Sequence, residues 1–523
     1  MSTRVLVIGL DSMDHRLIER WCDEGHLPTI AALRARSAAF ALENSLDFLP
    51  GAVWVELSTG RTAGSTGRYY VPEQLHTGDA VPRKVEPDEV DTSLDFWTIA
   101  SAAGRRVVVF DVPERVPHRG LNGIHLSEWS GHDSSWTTSS EPPGLADEVR
   151  AAFAAHPVPS CDAVHGGGPD DYVQLARDLV AGVALRADVA THLLEREDWD
   201  LAVVGFIEVH CVGHQFWSFT SSEHPVQVDD PPAEVVDAIR DVYTATDVAI
   251  GRLLEHTRPD TSIVLLASHG YGPFVEGAQL LPEVLVRLGL RPPPSPLAAL
   301  PSRLPDGVRR GLRRVVPASL RNRRNARAGF LPSLDLSSPA NRAAVLKNNR
   351  CGAIRLNLRG REPEGRVEPG VEADALLDEI RTELEALVDP ISGEPIVRRV
   401  ASADELFGSD HHPDVPDLMI TFRNDLGPLE ACVGPRVGTV EVPWFPRERR
   451  PDGWPVDLRR TGDHLPPAKV WVSGPTVSPP RGTGAGRAVD VAPTVLALLG
   501  VTVPPTIEGS PLPLPVPSGD CVG

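Results

Sequence analysis

Lysine is nearly absent from this chain: Lys84, Lys347 and Lys469 are the only three in 523 residues. Arginine therefore carries the positive charge, which reads as a GC-rich coding bias rather than as a function. Basic side chains are also too few to balance the acidic ones. The formal net charge of −20 excludes a general nucleic-acid binder, because a phosphate backbone rewards clustered Lys and Arg. Cysteine is scarce. Cys22, Cys161, Cys211, Cys351, Cys432 and Cys521 are scattered with no CxxC pair, which predicts reduced cytosolic thiols. Long apolar runs are missing as well. Ahead of Asp11 only six consecutive apolar or glycine residues occur, too short for a signal-peptide core or a membrane span. The expectation is a soluble, cytoplasmic chain without a membrane span. No internal repeat is present.

What remains is an ordinary globular composition, 41% hydrophobic and 23% charged, on a chain long enough for one large α/β domain with insertions or for two domains. Short β-branched runs each end in a polar residue: "VLVIGLD", "RVVVFDV", "LAVVGFIEVH", "SIVLLASHG" and "AKVWVSG". Helical patterns such as "PAEVVDAIRDVYTATDVAIGRLLEHT" lie between them. That alternation predicts an α/β fold, a mostly parallel sheet with helices on both faces plus insertions. Its core is expected over residues 1–290 and again over 401–523, with a Pro/Arg-rich insertion or lid at 291–345 and a small strand–helix–strand subdomain at 346–400. The Arg-rich stretch reads either as an insertion with a solvated basic face or as a patch that attracts an anion.

Ligands of such sheets gather at the carboxyl ends of the strands, where Asp11, His210 and His269 all fall. His210 and His214 are four apart in "VHCVGH", so a helical turn after the strand puts both on one face. An isolated HxxxH is explained by packing more often than by a metal. His269 in "ASHGYGP" and His464 in "TGDHLPP" occupy similar contexts beside strands and add weight to a metal site. Neutral imidazole is a good ligand for zinc and other divalent ions.

The segments "VLVIGLDSMD", "STGRTAGSTG", "VHCVGHQFW", "LLASHGYGP", "TGDH" before "VWVSGP", and "DVAPTVLALLGVTVPPTIEGSPL" follow the order typical of the alkaline phosphatase superfamily. Nearly the whole chain resembles its type I phosphodiesterase/nucleotide pyrophosphatase-like branch. That resemblance implies two metal ions at the carboxyl edge of the sheet. One would be held by His210, His214 and His464, with His210 standing where an Asp is usual. The other would use Asp11 and His269, with Ser268 standing where a second Asp is usual. The expected nucleophile position, nine residues before Thr59, is Pro50, which has no nucleophilic atom; the nearby hydroxyls are Ser45, Ser58 and Thr59.

Losing two carboxylates removes two negative charges from a site built for two dications. The resulting expectation is one firm three-histidine site, zinc being the natural ion, and a second site that is vestigial or completed by substrate. Water acidified at the first site would attack, with Asp11 or Glu208 orienting it or taking its proton and His269 beside them. Glu208 also reads as a structural residue and Cys211 as a packing residue. "LSEWSGHDSSW" offers Glu128, His132 and Asp133 between Trp129 and Trp136, facing the site or lying on the surface. Asp417 and Asp490 read as turn and helix-start residues, and Arg355, Arg359 and Arg361 as anion binders or solvated strand ends.

The leading functional expectation is therefore a metal-dependent phosphodiester hydrolase acting on a small anionic substrate without the usual nucleophile. One alternative is a transferase or biosynthetic enzyme using a bound acceptor on a phosphoryl or sulfuryl substrate; another is a ligand-binding pseudoenzyme. A Rossmann dehydrogenase is disfavoured, because "VIGLDSMD" lacks the glycines that bring a pyrophosphate to a helix start.

Overall fold

The computed structural model describes residues 4–43, 47–129, 136–158, 160–161, 167–220, 224, 226–274, 277–293, 336, 340–427, 429–441, 453–455, 460–478 and 482–515. Two compact units are formed, one from residues 1–71, 85–275 and 445–523, the other from 72–84 and 276–444. Residues 401–444 thus group with the second unit, and the Arg-rich stretch from 294 to 335 lies outside the described residues.

In the larger unit, strands β1 (Arg4–Leu10), β2 (Ala38–Glu43), β3 (Val107–Phe110), β4 (Gly123–Ser127), β5 (Ser139–Glu141), β6 (Leu201–Phe206) and β7 (Thr261–Ala267) are followed by the short β8 (Gly270–Pro273). After β9 (Ala343–Leu346), β10 (Gly352–Leu356), β11 (Val397–Ser402), β12 (Leu418–Phe422), β13 (Ala431–Gly434) and β14 (Gly438–Glu441), the larger unit resumes with β15 (Gly462–Leu465), β16 (Ala468–Ser473) and β17 (Thr483–Arg487). Nine of these form one sheet in the order β17-β2-β16-β7-β1-β6-β3-β4-β5. Only β16 and β5 run against the rest, so the sheet is mostly parallel, as its continuous apolar runs predict.

Every residue of β1, β3, β6 and β7 is buried, which requires cover on both faces. Val5 and Val7 of β1 pack with Val53, Leu57, Phe96, Trp97, Val491 and Val495, drawn from short helices on one face. Leu6 and Ile8 alternate to the other face, where the helix Pro169–Arg196 lies against β3 and β6 and packs on the helix Ala233–Leu254. In the smaller unit β11-β12-β10-β9 make an antiparallel sheet, and β13 pairs with β14. Among the described residues no helix is long and apolar enough to cross a membrane.

The cysteine expectation is overturned in part. Cys161 and Cys211 form a disulfide at a sequence separation of 50, while Cys22, Cys351 and Cys432 are free and buried. Cys211 is therefore a cross-link between the helix Glu208–Phe216 and the segment ahead of the helix Pro169–Arg196, not a packing thiol. Nothing in the local sequence marks the pair, because neither cysteine sits in a spacing motif.

Candidate metal and catalytic site

Three adjacent parallel strands, β7, β1 and β6, deliver the site. Asp11 and Ser12 follow β1. Ser268 and His269 follow β7. After β6 the chain turns at Ile207 into the helix Glu208–Phe216, whose one-turn spacing puts His210 and His214 together with ring centroids 4.5 Å apart. His464 arrives from β15, which pairs antiparallel with β8 so that His464 opposes Tyr271. Its ring stands 4.7 Å from both His210 and His214. One nitrogen from each of the three rings lies within 4.8 Å of the others, a group that could hold a metal ion. All three are buried.

Hydrogen bonds orient these rings. His214 Nδ1 donates to the Gly462 carbonyl at 2.8 Å, because a carbonyl oxygen only accepts. His210 Nδ1 donates to Asp11 Oδ2 at 2.9 Å for the same reason. Each bond fixes the tautomer with the lone pair on Nε2, the arrangement that outer partners impose on ligating histidines. Tyr271 donates its hydroxyl to the His210 carbonyl at 2.7 Å and lays its ring 5.2 Å from that of His214. Gly213 makes this approach possible: a Cβ there would stand 2.5 Å from the Tyr271 ring. Burial, then the neighbouring His269, His210 and His214, hold the His464 imidazole well below its ordinary pKa, so it stays neutral. Three imidazoles, two of them with the lone pair directed by a hydrogen-bond partner, are a fitting donor set for a divalent ion.

The other expected residues divide. Asp11 reaches His210 as an orienting partner. His269 is adjacent to the trio but outside it: its Nδ1 lies 3.2 Å from His464 Nδ1, its Nε2 3.4 Å from Ser12 Oγ and 3.9 Å from Asp11 Oδ1. Glu208 does not join the imidazoles. Arg186 Nε donates to its two oxygens at 2.8 and 2.9 Å, and His156 Nε2 is 2.9 Å away. Burial alone would raise the Glu208 carboxyl, but Arg186 and His156 hold it at about 2, too low to take a proton at neutral pH. Arg186 continues to Asp111 and to the Gly205 carbonyl, both at 2.9 Å, and so ties the helix start to the ends of β3 and β6. Glu208 is an anchor for the start of its own helix.

Pro50 lies in the turn ahead of the helix Val53–Thr59. Thr59 Oγ1 is spent on the Val55 carbonyl at 2.7 Å, and Ser58 is buried in that helix; Ser45 lies outside the described residues. Trp129 packs against Phe110 and Arg186, and Trp136 donates to the Val85 carbonyl at 2.8 Å, while His132 and Asp133 are outside the described residues. Arg355, buried, and Arg361, half-buried, are committed to Glu362, and Arg361 also clasps Asp417 with two 2.7 Å contacts, so in the smaller unit these arginines are engaged by carboxylates. Arg359 pairs with Glu368 on the surface. Asp490 does organise a turn, accepting from the Arg487 and Ser510 amides.

Two features escaped the sequence reading. Glu114, four residues past β3, is pushed up to about 8 by burial and by the charges of Asp11 and Glu128, and so keeps its proton at neutral pH. Ser12, Asp111, Glu114 and Glu128 all adopt positive φ, between 53 and 61°, just beyond β1, β3 and β4. Such backbone is strained for non-glycine residues and gathers at functional edges. The rule that strand ends carry ligands would have found Glu114, had "DVPER" been followed past its first Asp.

The nine-stranded sheet is that of an alkaline phosphatase-like α/β fold. The chain belongs to the type I phosphodiesterase / nucleotide pyrophosphatase family, whose model matches residues 5–429. In fold it is similar to phosphonoacetate hydrolase from Sinorhizobium meliloti 1021 in complex with phosphonoformate, at 12% identity and a TM-score of 0.50 over 95% of this chain and 96% of that one. It is likewise similar to the alkaline phosphatase PafA, at 14% identity and a TM-score of 0.50 over 98% and 99%. No match was found among curated proteins.

Proposed function

We propose that this chain is a phosphodiesterase dependent on one divalent ion, most naturally zinc, and that water rather than a protein hydroxyl attacks its small anionic substrate. The observation that carries the reading is the convergence of His210, His214 and His464 with two of the rings locked by Asp11 and Gly462. A divalent ion held by three neutral imidazoles supplies Lewis acidity and acidifies water towards neutral pH. The chain's own groups do the rest. Asp11 keeps the His210 proton on Nδ1, the Gly462 carbonyl keeps that of His214 on Nδ1, and neutral His464 adds no charge to repel a cation. His269 Nε2, within reach of Ser12 Oγ and Asp11, is placed to take a proton. Pro50 supports water as the attacking group, since a proline cannot form a phospho-enzyme. The same position favours a second reading, transfer to a bound acceptor, which predicts no turnover until an alcohol is added.

Hydrolysis of bis(4-nitrophenyl) phosphate tests the proposal. Purified protein should release one 4-nitrophenol and the monoester, lose activity on dialysis against a chelator, and regain it with zinc. His214→Ala should lower kcat/KM by about a hundredfold or more, as expected when a ligand of a catalytic ion is lost. Full activity in the chelated protein or in His214→Ala would refute it.

A further inference from the structure

The family resemblance implies a second ion on Asp11, His269 and the position of Ser268, and the donors there do not fit one. Asp11 is buried, and both its oxygens are engaged. Oδ2 accepts from His210. Oδ1 accepts the indole Nε1–H of Trp54 at 2.8 Å and the Ser268 hydroxyl at 3.2 Å, with Ser12 Oγ at 3.4 Å. These donors to Oδ1 are uncharged, and an indole N–H donates only. A cation on Oδ1 would have to share that oxygen with the indole or displace a buried donor from it. Ser268, for its part, brings a hydroxyl where a carboxylate would be needed to balance a second dication.

The reach of Trp54 is built into the sheet. The indole belongs to the helix Val53–Thr59 and lies across β1 at Gly9, where a Cβ would stand 2.7 Å from the ring. Glycine at that point in "VIGLD" thus opens the strand surface to the indole that caps the next acidic side chain.

We propose that Trp54 stands in for the second metal ion: its indole N–H, with the Ser268 and Ser12 hydroxyls, satisfies Asp11, keeps it as the orienting partner of His210, and restricts the chain to a single ion. The inference rests on the three-imidazole reading above. Trp54 is a positioning residue in it, acting on His210 through Asp11.

Zinc binding at equilibrium, measured by dialysis and elemental analysis, decides the matter on the full chain. Wild type and Ser268→Asp should each bind one equivalent. Trp54→Phe/Ser268→Asp, which keeps an aromatic ring over Gly9 but removes the N–H and restores the carboxylate, should bind two. Trp54→Phe alone should weaken the single zinc about tenfold, the size of effect seen when an outer partner of a ligating histidine is lost. Two equivalents in wild type or in Ser268→Asp would overturn the proposal, as would a folded double variant that stays at one. Should the double variant fail to fold by circular dichroism, unchanged zinc affinity in Trp54→Phe overturns it by itself. One zinc without diester hydrolysis would refute the proposed activity and leave this inference standing; no zinc in wild type would overturn both.

Discussion

At position 210 an imidazole, with two distinguishable nitrogens, gives Asp11 a proton to hold at 2.9 Å. A carboxylate there would instead repel Asp11 unless a cation lay between them. On the proposed reading, an imidazole at position 210 alters the work of its neighbour, from binding a cation to orienting a metal ligand. Glu208 shows the same dependence on surroundings. Its ordinary pKa is 4.5 and its folded value about 2, so the unfolded chain takes up a proton across that interval while the folded carboxylate does not. The stability it contributes is complete above pH about 4.5 and is lost as pH falls towards 2. Glu208→Gln should flatten that acid limb in urea melts and cost about 3 kcal/mol or more at neutral pH, because Arg186 is left buried with Asp111 alone. An unchanged acid limb would contradict the assignment of Glu208 as an anchor.

At the scale of elements, the helix Glu208–Phe216 is fixed from three directions: by Arg186 at its start, by Tyr271 through Gly213, and by the disulfide at Cys211. Gly213→Ala pushes a methyl into the Tyr271 ring and should cost about 1–3 kcal/mol with weaker metal retention, measured by melting and elemental analysis. A non-reducing peptide map should recover Cys161 and Cys211 in one linked species, and Cys161→Ser should lose about 2–4 kcal/mol, since the closed loop is long. The parallel strands and their polar ends were legible in the sequence because strands buried on both faces read as unbroken apolar runs. The HxxxH helix was legible because it follows one such run directly. The β8–β15 pairing was not: both strands are short, β8 has glycine at alternate positions, and their contact spans nearly two hundred residues without a periodic signal. Arg186 was hidden inside a 28-residue helix whose charges look solvated, although its side chain is fully buried. Trp54 in "VWVEL" reads as a core residue, which it also is.

At the scale of the whole molecule, the family match points to phosphoester chemistry, while Pro50, His210 and Ser268 stand where the family resemblance implies a nucleophile and two carboxylates. On the proposed function, a chain of net charge −20 must also admit an anionic diester. Long-range repulsion slows that encounter at low salt, and screening relieves it. The value of kcat/KM should accordingly rise with ionic strength between about 0.01 and 0.15 M, where the screening length shrinks from about 30 to 8 Å; a fall would point to a local basic funnel instead.

The central claim, a single ion held by three histidines, is tested most directly by elemental analysis of the purified wild-type protein beside His214→Ala. One equivalent of a divalent metal, present in the wild type and gone from the variant, is the predicted result. Two tightly bound equivalents in the wild type, or a metal content that His214→Ala leaves unchanged, would contradict it.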